Sequence, residues 1–473
     1  MQEENDLRAK RKRVSFLDGL TTEAFRHLEK ALTHDPNHIP ALIALSDAYL
    51  DQGRFAQVEK LLKKAISVRK DQSEVFFLEA KLLFLRDNNE KAAKSIDEAI
   101  KLEIGQPKYY RLAADIAKAR QKPFEQQLFL ERLIDLDPLD GEAHYKLGKL
   151  LHHPEDFDRV KLLFEISIDL LPNNSRVMFS LAQHLFAGEK SLEDGSISIE
   201  RDIQSAKEIL TKILTIDPSH GKAKIMLAEI ELEGDGKAIA TRLLQEAFEE
   251  ETERGQAAYM LGLIWGEKGD FDQAETYFKA AIKHAEWEAL GEFRLALVMR
   301  RKGQIEEATE HFENCMSAFK KREAQLIKSK ELCLEKLDFH ESRKELASLQ
   351  LVRKSLGEAS LGIYKCKNSS QKEKEHIQYL DDSLLHYPNY PEANYEKGLL
   401  HIQDGENEYA KDRFEKAVEG DWNHWPSHME LASLAKVGKE LQKAEMHAKI
   451  VLDLDPENHV ATSFLKKIQA SQV

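Results

Sequence analysis

Chemistry at a reaction centre needs particular side chains at particular spacings, and this sequence offers few of them. His152 and His153 are adjacent, yet neither they nor the other histidines stand at ligand spacing from Cys or acidic residues. Cys315, Cys333 and Cys366 form no Cys-x-x-Cys pair and no even-numbered framework, as expected of helix residues in a reducing compartment. No GxxxxGK[ST] phosphate loop, GxGxxG turn, HExxH helix or GxSxG elbow occurs. The expectation is therefore no catalytic residue, no metal and no cofactor. The numerous Asp and Glu residues suit solvated helix faces and i,i+4 pairing with Lys and Arg.

Recognition is the chemistry that remains. Phe77, Tyr145, Phe179, Tyr259, Phe293 and Tyr395, together with Arg111, occupy one position of a recurring unit, and Phe84, Phe186, Arg300 and Arg301 follow about two helical turns later. Aromatics with scattered charges suit binding of a partner helix or an extended peptide. The same rings also suit packing between neighbouring helices, and both roles can hold together. Arg300 and Arg301 are a candidate pair for an acidic group, with a solvated rim as the alternative.

The unit that positions these residues is 34 residues long. Six prolines close a similar phrase: Pro36, Pro138, Pro172, Pro218, Pro388 and Pro456. Their separations are 102, 34, 46, 170 and 68, all multiples of 34 except one that carries 12 extra residues. In residues 255–288, Leu261, Gly262 and Trp265 share one face of a first helix. Gly269-Asp270 makes the turn, where glycine tolerates the left-handed backbone that ends a helix. Ala274, Phe278 and Ala281 then mark one face of a second helix. Small residues let the two helices approach, and Phe278 fills the space between units. Each hairpin leaves an apolar face open, so only stacking closes the core.

These residues resemble the tetratricopeptide repeat family. Its small first-helix position is matched by Ser46, Ala80, Ala114, Gly148, Ala182, Ala228, Gly262, Ala296, Gly398 and Ala432. The first alanine of its second helix is matched by Ala92, Ala206, Ala240, Ala274, Ala308, Ala410 and Ala444. The family's first-helix tryptophan is replaced, for example by Leu42, Phe76, Tyr110 and Met178. The resemblance implies an all-α, right-handed superhelical solenoid of about 11–12 helix-turn-helix repeats, with the first helices lining a concave groove. Chaperone partners in this family grip a carboxylate with Lys-x3-Asn, Asn and Lys-x3-Arg. Here Lys222 is followed by Met226 where arginine belongs, and the asparagines are missing, so that specialisation is disfavoured.

The expected organisation is a basic segment at 1–21, an array over 22–322, a degenerate helical repeat or hinge at 323–356, and a second array over 357–473 that closes on a helix at 459–471. A lone second helix at the start carries Ala24, Leu28 and Ala31 in phase. Residues 188–201, with two glycines and three serines, read as a surface loop that either decorates one rim or makes a contact. Segment 323–356 keeps the length of a unit but has Lys330 and Ser342 where small residues belong. Either a long continuous helix or a loose hairpin fits it. The cluster Arg8, Lys10, Arg11, Lys12 and Arg13 reads as a basic flank, with a nuclear address or an anionic contact as the alternative.

The whole sequence carries 69 Lys and Arg against 83 Asp and Glu, a net charge of −14, which disfavours a phosphate-backbone binder. No run is apolar enough to span a bilayer, and the first residues lack the apolar stretch of a secretory signal. The reading is a cytoplasmic, non-catalytic scaffold or adaptor for protein partners, compatible with self-association. A module that controls an enzyme through changes in curvature comes second, and an RNA-binding solenoid third.

Overall fold

Each 34-residue period is a pair of antiparallel helices, so the fold is an all-α helical-repeat solenoid. A computed structural model describes residues 23–151, 154–191, 197–335, 339–368 and 376–472. The basic segment at 1–21 and the His152-His153 pair lie outside the described residues. The chain divides into two compact units, residues 1–223 and 224–473.

In the first unit, α1 (residues 23–34) precedes five pairs: α2 (Ile39–Asp51) with α3 (Phe55–Val68), α4 (Ser73–Leu85) with α5 (Asn89–Leu102), α6 (Pro107–Ala119) with α7 (Pro123–Leu136), α8 (Gly141–Leu150) with α9 (Phe157–Leu170), and α10 (Ser175–Ala187) with α11 (Ile203–Ile216). Helix starts are set by capping. Asp140 accepts the Ala143 amide at 3.0 Å, and Asp202 accepts that of Ser205 at 3.0 Å; such amides have no acceptor within the helix. Pro107 and Pro123 open their helices where no amide hydrogen is needed. On α1 the face turned to the core is Phe25, Leu28 and Leu32, with Ala24 exposed. That shifts the expected phase by one residue, because a terminal helix gains more by burying large side chains than small ones.

The second unit holds most of α12 (Gly221–Glu233), with α13 (Lys237–Phe248), then α14 (Arg254–Glu267) with α15 (Phe271–Ala281), α16 (Glu288–Arg301) with α17 (Ile305–Glu335), α18 (Phe339–Asn368) with α19 (Ile377–His386), α20 (Pro391–Gln403) with α21 (Asn407–Gly420), α22 (Trp425–Val437) with α23 (Leu441–Leu454), and the closing α24 (His459–Gln472). Small-to-aromatic contacts set the spacing within pairs, so that Phe278, expected between units, fills the space inside its own pair. A Cβ on Gly148, Gly262 or Gly398 would stand 2.8, 2.6 or 2.5 Å from a ring carbon of Phe164, Phe278 or Phe414. At the equivalent position Ala80, Ala114 and Ala296 are fully buried.

Segment 323–356 forms no repeat of its own. Helices α17 and α18 have 31 and 30 residues against 14 in α16, and they pack against each other. Residues up to Glu335 prolong the second helix of unit 289–322. Those from Phe339 prolong the first helix of unit 357–390. The register proves this: Ser383 Oγ donates to the Gly357 carbonyl at 2.7 Å, as Ser167 Oγ does to Gly141 at 2.7 Å. Leu326, Leu349, Val352 and Leu356 bury the seam of the extension. Ser329 bonds Glu345 at 2.7 Å, and Arg353 pairs with Glu323 at 2.8 Å.

The insertion at 188–201 differs from the expected loop. Gly188 ends α10 at φ 63°, and Glu189–Ser191 (β1) pairs antiparallel with Ile197–Ile199 (β2). Along these two strands the backbone gains ladder hydrogen bonds that a free loop would leave to water.

Candidate partner-binding face

Within each unit, successive first helices touch: α2 with α4, α4 with α6, and α16 with α18. Second helices lie further apart, so the first helices line the inner side of each unit. The candidate ring, fifth residue of α4, α8, α10 and α20 and sixth of α14 and α16, projects between the first helix and its neighbours. Tyr145, Tyr259, Phe293 and Tyr395 each place a ring about 6 Å from the phenylalanine nineteen residues later: Phe164 at 6.0, Phe278 at 6.0, Phe312 at 5.8 and Phe414 at 5.8 Å. Residues at the start of the next first helix supply a second wall. Phe77 meets Tyr109 at 5.1 Å, Phe179 meets His220 at 5.3 Å, Tyr259 meets Trp287 at 5.1 Å, and Tyr395 meets His424 at 5.4 Å. All six rings are half-buried. Each ring is therefore held by its neighbours while part of its surface stays exposed.

The remaining candidates separate. Arg111 is exposed but engaged, holding the capping carboxylate of Asp140 at 2.7 Å. Phe84 packs half-buried on the α5–α6 core. Phe186 lies beneath Arg201, whose guanidinium carbon stands 3.9 Å from the ring centroid. Arg300 and Arg301 diverge, since adjacent helical residues point about 100° apart. Arg301 lies over the Phe271 ring of α15 at 5.8 Å, whereas Arg300 is half-buried and acts electrostatically on Cys366 and Tyr390. The two cations do not converge on a single acidic group.

Charge on the inner side of the first unit is self-paired, a feature missed in the sequence. Lys81 Nζ meets Asp47 at 2.9 Å, Lys108 meets Glu74 at 2.6 Å, and Arg176 meets Glu142 at 2.7 Å. Each pair is separated by 34 residues, so two register positions alternate in sign from repeat to repeat. That alternation was the available signal. Lys108 and Arg176 also stand over the Phe77 and Tyr145 rings at 5.3 and 4.7 Å. At the amino-terminal end, a cleft of about 730 Å3 opens beside Ile43, Asp47, Arg69 and Glu74.

Both units hold carboxyls raised by burial, Asp97 in the first and three in the second. Burial pushes up the carboxyls of Glu229, Glu358 and Glu430, because a low-dielectric site disfavours the charged form. Gln256 donates to Glu229 at 3.2 Å, and the Lys354 and Arg294 charges partly offset the effect at Glu358. Burial also raises the Cys315 thiol, which leaves it a packing residue rather than a nucleophile. Among the described residues no group of three or more His, Cys, Asp or Glu could hold a metal ion. No helix among them is long and apolar enough to cross a membrane.

Two segments, residues 16–82 and 225–286, match models of the tetratricopeptide repeat. The chain carries tetratricopeptide repeats. It is 21% identical over 183 residues to the human protein O-mannosyl-transferase TMTC1, covering 37% of this chain and only a fifth of that protein's length. Among solved structures it is similar to the Cut9–Hcn1 hetero-tetramer of the APC/C, at 15% identity and TM-score 0.40, covering 96% of this chain and 94% of that one. It is also similar to the human IFIT1 dimer with m7Gppp-AAAA, at 14% identity and TM-score 0.43, covering 84% and 89%. Tetratricopeptide repeats support a role in protein interaction in general.

Proposed function

We propose that this tetratricopeptide protein is a non-catalytic scaffold or adaptor. It holds a helical or extended segment of a partner along the inner side of its first helices and so organises a multiprotein complex. The observation that carries the reading is the recurrence of half-buried rings in each unit, Phe77, Tyr145 and Phe179 in the first and Tyr259, Phe293 and Tyr395 in the second. Each ring is held by its neighbours, so little rotamer freedom is lost when its exposed part meets a ligand. Repetition lets several modest contacts add along one chain. The self-paired charges of the first unit leave apolar and aromatic contact as its main attraction. The three cysteines, none of them in a disulfide, fit work in the reducing cytoplasm.

Photo-crosslinking tests this with the intact chain expressed in its native cell. Benzoyl-phenylalanine replaces Phe77, Tyr145, Tyr259 or Tyr395 in turn, which keeps an aromatic ring in each packing slot. Control chains carry it at the exposed Leu128 and Leu162 of second helices α7 and α9. The proposal requires one partner set to be captured from the inner positions. Capture from the control positions alone would refute it.

A further inference from the structure

The extension of α17 creates a surface that the repeat pattern does not contain. Where α17, α18 and α19 meet, a cleft of about 610 Å3 has Met316, Ile363 and Tyr379 as its floor and Lys320 and Lys321 on its rim. One end is closed by Lys367, which donates to Tyr379 Oη at 2.9 Å and reaches Glu313 at 3.4 Å. From that cleft a single face of α17 continues outward. Glu313, Ser317, Lys320, Lys321, Ala324, Ile327 and Lys328 follow the three-and-four spacing of one helical stripe. It runs for roughly 22 Å at 1.5 Å per residue. Everything on it from Lys320 to Lys328 is exposed.

Its charge sets it apart. Residues 319–356 carry ten Lys and Arg against six Asp and Glu, a net of +4 in a chain of −14. Arg353 is engaged with Glu323, but Lys320, Lys321 and Lys328 have no ion-pair partner among the described residues. A local positive field on an acidic protein steers acidic partners and repels basic ones.

We infer that the α17–α18–α19 cleft and the Lys320–Lys328 stripe form a second docking surface, on the second-helix side, for an acidic amphipathic helix of a partner protein. The apolar side chains of that helix enter the floor between Met316, Ile363 and Tyr379 and continue onto Ile327. Its carboxylates meet Lys320, Lys321 and Lys328. A straight stripe of helical spacing favours a helical occupant read at i, i+3, i+4 and i+7. Beyond the cleft the stripe has no aromatic ring on which a nucleic-acid base could stack. A single exposed aliphatic, Ile327, is too little apolar area for insertion into a lipid surface.

The test uses the full chain and a labelled synthetic helix of about 21 residues, long enough to lie along the stripe, with leucine at seam positions and glutamate elsewhere. Anisotropy titrations compare it with the same leucine pattern in lysine, with oligouridine RNA and with phosphatidylserine vesicles. The acidic helix should bind best and weaken as salt is raised. The K320E/K321E/K328E chain should bind it at least about tenfold more weakly, as expected for three reversed charges, with its circular dichroism unchanged. K320R/K321R/K328R should retain binding, and K320Q/K321Q/K328Q should fall between, which keeps the test decisive if charge reversal disturbs folding. Equal binding by the reversed chain, or a preference for RNA or vesicles, would overturn the inference. Crosslinking from the inner rings is independent of this surface, so either reading can fail alone.

Discussion

Replacing Lys439 by glycine should stabilise the last helix pair. In seven pairs the residue that turns the first helix into the second lies in the left-handed region: Gly53, Asp87, Gln121, Gly269, Gly303, Gly405 and Lys439. Lys439 is exposed and sits at φ 62°. Its turn matches the glycine version bond for bond. The Lys439 amide reaches the Lys436 carbonyl at 3.1 Å, as Gly269 reaches Gly266 at 3.1 Å, and Glu440 reaches Ala435 at 2.8 Å. Only the backbone cost separates the two. That conformation costs an L-residue about 1–2 kcal/mol, and glycine's freedom in the unfolded chain offsets about 0.5–1 kcal/mol of the gain. The net stabilisation is about 0.5–1 kcal/mol, or roughly two- to fivefold in a local opening constant. Long arrays need not unfold in one step, so the assay is amide hydrogen exchange of α22 and α23 peptides from the intact chain. The reverse change, Gly269→Lys, should loosen α14 and α15 by a similar factor, because a Cβ there would touch nothing within 4 Å. Lower protection in K439G, or unchanged exchange in G269K, would refute the reasoning.

Two further outcomes follow from the packing. Phe278→Ala should cost about 3–5 kcal/mol, since this 2% exposed ring fills the space against Gly262; urea unfolding of the intact chain with α14–α15 exchange would show a locally opened pair, and a change below about 1 kcal/mol would mean the site collapses freely. The His428–His447 pair should make the C-terminal repeats acid-sensitive. His428 Nε2 donates to the Trp422 carbonyl at 3.0 Å, so its Nδ1 accepts the proton of His447 Nδ1, also at 3.0 Å. Burial pulls His447 from 6.5 down to about 4, with the neighbouring His428 adding to the effect. The unfolded chain therefore binds the proton first, and stability is lost as pH falls from about 6.5 towards 4, by at most about 3 kcal/mol. Exchange of α22–α23 peptides should quicken across that window, and His447→Gln should flatten the dependence; an equally steep profile in H447Q would dismiss the pair as its source.

How much was legible depended on whether a feature repeated. Gly262, Ala274 and Phe278 declared the helix pair because close approach leaves no room for other residue types at those places. The six inner rings were found for the same reason. Their placement, partly packed and partly exposed, was not legible, since an aromatic that packs and an aromatic that binds look alike in sequence. Arg111 was misleading on its own, because its partner Asp140 belongs to the next helix start. Arg300 and Arg301 looked like a pair only because they are neighbours in the chain.

Period, helix pairing and the absence of familiar catalytic motifs were written in the residue order, since local spacing dictates which faces are apolar and stacking must cover them. The fate of 323–356 was different. Its 34 residues match a repeat in length, yet they lengthen two helices that pair with each other, and that split emerged only once Gly357 was seen in the register of Gly141. Charge pairing across repeats, the buried His428–His447 contact and the cleft beneath Lys320 likewise arise between elements far apart in the chain. Such contacts depend on how neighbouring helices are placed in space, which a pattern of single positions does not encode.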